Sequence, residues 1–168
     1  MIRTVMIGLA LSACASAQLP SEFRSGDVIK DYGPVADVAV SFSPPEGQTL
    51  KAVFDVAETV ETGENIHISK LARLINMHGP EGLQPRPLDL IVVVHGRALG
   101  DLIDEDTNAQ RGLVSALIDN DVRFVVCGQS MAALQIDPDL FLPGVEIALS
   151  AMTAHASLSA AGYVSMPF

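Results

Sequence analysis

The sequence has only two cysteines, and their positions remove most cysteine chemistry. Cys14 falls within a leader, so Cys127 would have no mate in the mature chain. A disulfide framework and a CxxC mechanism are therefore excluded. Basic residues are also scarce, with ten Lys and Arg against twenty Asp and Glu. That balance argues against a nucleic-acid backbone or an anionic membrane surface as partner. No apolar run approaches the roughly 20 residues that span a bilayer. Gly96 and Gly128 are isolated, in neither a GxGxxG nor a loop ending GK[ST], so no nucleotide cradle is expected. Ser150 has no GxSxG elbow around it, which removes serine hydrolysis. His67, His78, His95, His155 and Cys127 show no CxxC or HxxxH spacing, and no dedicated metal or cofactor site is expected. A site assembled across one rim from Asp55, His95 and Cys127 is the open alternative.

What is present begins with an export signal. Arg3 precedes a short apolar run over residues 5–13, and Ala15-Ser16-Ala17 forms a small-residue cleavage site before Gln18. Leu11-Ser12-Ala13-Cys14 also resembles the bacterial lipobox, in which the cysteine becomes the lipidated first residue. Residues 1–17 are thus a signal peptide, or a lipoprotein signal ending before Cys14. Both routes predict a periplasmic or otherwise exported protein, anchored through Cys14 in the second case. About 150 residues remain, the size of one domain.

Residues 18–48 read as an irregular lead-in rich in Pro, Gly and Ser, with a weak alternation over 35–42 that suits an edge strand or hairpin arm. A regular domain follows over 49–168. Strands are expected at 50–56, 88–94, 122–126, 145–149 and 163–166. Ile68, Leu71, Leu74, Ile75 and His78 recur at helical spacing and predict a helix ending at Gly79-Pro80. Further helices are expected at 108–118 and 154–161, with one or two helical turns at 130–134. Strands that are apolar throughout and alternate with helices indicate a parallel sheet covered on both faces. The predicted fold is α/β, a three-layer α/β/α sandwich with a five-stranded, mainly parallel sheet.

Ligands of such sheets bind beyond the carboxyl ends of the strands. That edge collects Asp55, His95, Gly96, Cys127, Gly128 and Ser150. Backbone N–H groups of the turn Gly128-Gln129-Ser130 would favour a Cys127 thiolate, and Gly128 would leave room for an incoming sulfur. Against this stands the ordinary behaviour of free cysteine as a small buried hydrophobe. His95 is placed to bond the thiol or accept its proton, with a loop-orienting role as the alternative. Arg97 would hold an anion if it faces the rim, and is otherwise a solvated side chain.

Several segments, in order, resemble the DsrE/DsrF/DsrH-like sulfur-relay superfamily and its single-domain, YchN-like branch. They are Lys51-Ala52-Val53-Phe54-Asp55-Val56, Leu74-Ile75-Asn76-Met77-His78, Val92-Val93-Val94-His95-Gly96-Arg97-Ala98, Asn108, Val126-Cys127-Gly128-Gln129-Ser130, the stretch from Leu142-Pro143-Gly144 to Thr153, and Gly162-Tyr163. The resemblance implies the same three-layer fold and a homo-oligomer, a trimer or hexamer. It also implies a cysteine that takes up sulfur as persulfide and hands it to a partner. Cys127 stands at that position, His95 matches a recurrent His-Gly, and Asn76 and Asn108 match recurrent polar positions. The expected function is a periplasmic persulfide or sulfur carrier that meets a sulfur donor or acceptor protein or a small sulfur species. The alternative is a non-catalytic oligomeric module that binds a small ligand or a protein. The export signal sets this chain apart from the cytoplasmic relay members.

Overall fold

The computed structural model describes residues 22–166. The expected leader and both processing sites, within 1–17, lie outside the described residues.

Two short strands, β1 (Phe23–Arg24) and β2 (Val35–Ala36), pair antiparallel at the start. The main sheet follows from β3 (Leu50–Val56), β4 (Leu88–Val94), β5 (Arg123–Cys127), β6 (Glu146–Ala148) and β7 (Val164–Met166). Its order is β6-β5-β4-β3-β7, and every pairing is parallel. The crossovers are α1 (Ile66–His78), a 3-10 helix (Gly96–Leu102) with α2 (Arg111–Ile118), α3 (Gly128–Leu134) with a 3-10 turn (Pro138–Leu140), and α4 (Ala151–Ala160). The chain steps from β3 to β6 in one direction and then returns to β7 at the far edge. Because parallel crossovers are right-handed, reversing direction puts the return helix on the other face.

Side-chain alternation shows the two faces directly. Ala52, Phe54, Val56, Leu90, Val92, Val94, Phe124 and Val126 pack with Ile68, Leu71 and Ile75 of α1, Leu99 and Leu102 of the 3-10 helix, and Leu113 and Leu117 of α2. The residues between them, Val53, Ile91, Val93 and Val125, face Ala154 of α4. Most of the apolar burial, at about 1.5–3 kcal/mol for each large side chain, is therefore on the α1/α2 face. The α4 face is thin, and the next residues along its strands, Asp55, His95 and Cys127, lie at the carboxyl edge.

Local chemistry sets the boundaries. Asn65 caps α1, its side chain accepting the His67 N–H at 3.1 Å, and Gly79-Pro80 ends the helix. The expected helix at 108–118 begins later, at Arg111, because the Asn108 side chain instead accepts the Gln110 N–H at 2.9 Å and closes a turn. The strand expected at 145–149 shortens to three residues, since β6 is an edge with β5 as its one neighbour. Ser150 caps α4 by accepting the Thr153 N–H at 3.1 Å, which starts that helix three residues before the expected 154. The lead-in is less irregular than expected. Ile29 and Val35 are buried, and Asn76 near the end of α1 binds the backbone of 29–33. Of the alternating stretch 35–42, only Val35 and Ala36 pair, and Val38, Val40 and Phe42 are exposed. No helix among the described residues is long and apolar enough to cross a membrane.

Candidate functional site

The α4 face of the carboxyl edge brings Asp55, His95, Gly96, Cys127, Gly128, Gln129 and Ser150 together. Cys127 closes β5 and is 6% exposed. Burial alone pushes a thiol up, yet this thiol lies below its ordinary range. The Ser130 hydroxyl and the backbone N–H groups of Ser130, Ala151 and Gln129 face the sulfur and outweigh the desolvation. Cys127 is the residue before α3, and its side chain makes no capping hydrogen bond to that helix. The donors come from the starts of two elements, α3 and α4. Ser130 is itself oriented, since its Oγ accepts the Gly96 N–H at 3.1 Å and its own hydrogen is left for the sulfur.

Gly96 can direct that N–H because it adopts φ +59°, and a Cβ there would lie 2.9 Å from the Ala57 carbonyl oxygen. Gly128 has a different reason for being glycine from the one expected. A Cβ at this position would meet the Ala148 carbonyl oxygen at 2.8 Å and that of Leu149 at 3.4 Å. Glycine is therefore required here by the backbone at the end of β6, which closes the position a side chain would take. Gln129 reaches the same segment, donating from Nε2 to Leu149 O at 3.4 Å.

At the same edge of the sheet, two imidazoles share one carboxylate. His155 Nε2 bonds Asp55 Oδ1 at 2.8 Å, and His95 Nε2 lies 3.2 and 3.3 Å from the two Asp55 oxygens. Burial works against ionisation of Asp55, but hydrogen bonds from His155 and His95 hold it below the usual carboxylate range. Sequence reasoning missed His155 at this rim, and it also missed Ser130. The signal for His155 was Ser150-Ala151-Met152-Thr153, a capping pattern that starts the helix at 151 and puts 155 on the side of 151. No group of three or more His, Cys, Asp or Glu suited to a metal ion occurs among the described residues.

Three expected rim residues are elsewhere. Asn76 is 1% exposed and spent on lead-in backbone, with Oδ1 accepting the Ile29 N–H at 2.7 Å and Nδ2 donating to Ile29, Tyr32 and Gly33 carbonyls. Its helix runs antiparallel to the strands, so its end lies away from the rim. Arg97 turns its exposed guanidinium to Glu58, pairing with it at 2.7 Å. Asn108 joins a separate polar cluster, donating to the Asp101 and Ile103 carbonyls. There Asp101 bonds Thr59 and Asn65, while the Gln110 side chain bonds the Asn65 N–H and the Gly63 carbonyl. Burial pushes the Asp101 carboxyl up despite the Thr59 and Asn65 bonds. The cluster ties down the loop after β3. The clefts of about 540 to 560 Å³ are lined by residues other than Cys127, Asp55, His95 and His155.

A sequence model of the DsrE/DsrF-like family matches residues 38–168. The chain belongs to the DsrE/DsrF-like family. The match takes in β3 to β7 and every residue of the carboxyl rim, so membership and geometry concern the same part of the molecule. A solved structure of MTH1491 from Methanobacterium thermoautotrophicum, titled a protein of unknown function, is similar at 23% identity with a TM-score of 0.57. The similarity covers 68% of this chain and 96% of that one, and it supports the family fold. A comparison with curated protein sequences gives no match.

Proposed function

We propose that this DsrE/DsrF-like protein is an exported sulfur carrier whose Cys127 takes up sulfur as a persulfide and passes it on. The observation that carries the proposal is the Cys127 thiol, held below its ordinary range at the carboxyl rim despite being buried. The family's association with sulfur relay supports it. In the uptake step the Cys127 thiolate attacks the outer sulfur of a donor persulfide, R–S–SH. A Cys127 S–S bond forms, the donor S–S bond breaks, and its electron pair leaves on R–S⁻ with no net oxidation. Thiosulfate serves equally, with sulfite leaving. His95 stands one step beyond the Val94–Val126 pair, next to Cys127 in register. Its Nε2 is turned to Asp55, which leaves Nδ1 as the candidate acceptor for the thiol proton. The working unit is a homo-oligomer, a trimer or hexamer, consistent with the exposure of Ile147, Leu149 and Met152 beside the rim.

Intact mass spectrometry tests uptake. The full chain carrying Cys14→Ser is incubated with a low-molecular-weight persulfide or thiosulfate. A species heavier by one sulfur atom is expected, and it should be absent when Cys127→Ser is added. An unmodified protein under both donors refutes the carrier. The same exposed apolar side chains favour one other function, a non-catalytic oligomeric module that binds a ligand or protein. That module would take up no sulfur, and its thiol would alkylate slowly in the folded state.

A further inference from the structure

Helix α4 meets the site at two points. Its first residue, Ala151, presents its N–H to the Cys127 sulfur. Its fifth, His155, bonds Asp55 Oδ1 at 2.8 Å. Residues four apart lie on one side of a helix, so both contacts come from the same flank. The rest of α4 is weakly packed. Ala154 is its single buried residue, and Met152 is 81% exposed. Ala151 and Leu158 pack beside Ala154 against the sheet, and polar anchors supplement this light apolar contact. At the far end Tyr163 bonds both oxygens of Asp89 at 2.8 Å. At the site end the chain arrives from β6, a three-residue edge strand in which Ala148 pairs with Cys127. The anchors there are the Ser150 cap and the His155 contact. Asp55 is a firm post for the latter, because β3 is flanked by β4 and β7. His95 steadies the carboxylate from the other side.

We infer that the Asp55–His155 contact is a positioning clamp for Cys127, holding α4 across the sheet so that its first N–H stays on the sulfur. His155 acts through the helix and is a positioning residue. The inference rests on Cys127 being the reactive thiol. The groups facing the sulfur are the donors of Ser130, Gln129 and Ala151, and the titratable groups on the same face are Asp55, His95 and His155.

Iodoacetamide alkylation across pH 5 to 10 tests the clamp, in the full chain with Cys14→Ser and with Cys127→Ser as blank. His155→Ala is expected to slow alkylation at neutral pH by about three- to tenfold, the size of a partly lost donor to a charged acceptor, and to displace the pH profile upward. His155→Gln, whose amide still donates to Asp55, is expected to react near the wild-type rate. Asp55→Ala separates the clamp from simple charge effects. Removing a nearby negative charge by itself favours thiolate and speeds alkylation, whereas releasing α4 slows it. Circular dichroism confirms that each variant is folded, and His155→Gln keeps the test open if an alanine variant is not. A folded His155→Ala protein reacting like wild type, or a faster Asp55→Ala protein, overturns the clamp. Sulfur uptake is scored separately. No uptake by wild type with slowed His155→Ala alkylation removes the carrier and keeps the clamp; uptake with unchanged alkylation does the reverse.

Discussion

Ser130→Ala is the sharpest probe of how the fold handles its thiol. The Ser130 oxygen already accepts the Gly96 N–H at 3.1 Å, which leaves its hydroxyl hydrogen directed at Cys127. Alanine removes that donor and leaves α3 otherwise intact. A hydrogen bond to a charged group contributes about 1.5–3 kcal/mol, and water near the rim replaces part of it. A value just under that range, about 1.4 kcal/mol once water is counted, corresponds to a tenfold change in thiolate population. Alkylation of the Cys14→Ser protein is therefore expected to slow about tenfold at pH 6 on adding Ser130→Ala, and to converge with the parent at pH values where both thiols are ionised. Equal rates at pH 6 would show that the hydroxyl points elsewhere and refute the reasoning. Stability provides a second readout with a definite sign. The folded thiol lies below its unfolded value of about 8.5, so its contribution is fully present above that value and lost as pH falls through the folded one. Relative to Cys127→Ser, the parent should gain resistance to urea between neutral pH and pH 9, and Ser130→Ala should reduce the gain.

Two further predictions concern the partners of Asn76 and Asp55. Asn76→Ala leaves the buried Ile29 N–H and three carbonyls without the amide, and is expected to cost about 3 kcal/mol in urea unfolding, with a loss below 1 kcal/mol contradicting the staple. Asp55 lies below the usual carboxylate range, so its contribution is present above pH 4 and lost as pH falls through the folded value. Its side chain is 49% exposed, which limits the effect to about 1 kcal/mol or less. Asp55→Asn should flatten the acid limb of stability below pH 4, and an unchanged limb would assign that limb to other carboxyls.

The central strands were legible to the residue. β3 and β4 match 50–56 and 88–94 because fully buried parallel strands are near-continuous apolar runs bounded by polar loops. The rim was legible in part, since topology alone carries Asp55, His95 and Cys127 to one edge. Other features were hidden by their physics. The 3-10 helix at Gly96–Leu102 buries Ala98, Leu99 and Leu102, but two turns interrupted by Gly100 are too short to show a period. α4 has almost no apolar stripe, so its start and the position of His155 depended on the capping role of Ser150. Asn76 and Asn108 were expected at the rim because they match recurrent polar positions of the resembled family. Asparagine at such positions is as readily consumed by nearby backbone, and both are.

Burial is usually the argument for an inert cysteine, and at Cys127 the donors around the sulfur oppose it. If the sulfur sat among side chains alone, desolvation would act unopposed and push the thiol up. The sheet places it at the last residue of β5, where the chain turns into α3 and where the chain leaving β6 turns into α4. Both turns expose N–H groups not yet paired within a helix, and the sulfur lies among them. Among the described residues, the crossover that supplies the second set is the only one whose helix lies on this face, because it alone runs back across the sheet. The donors on Cys127 thus follow from strand order as well as from local sequence. A substitution that shifts α4 without touching the thiol should therefore alter its ionisation, whereas one confined to the α1/α2 core should alter stability alone.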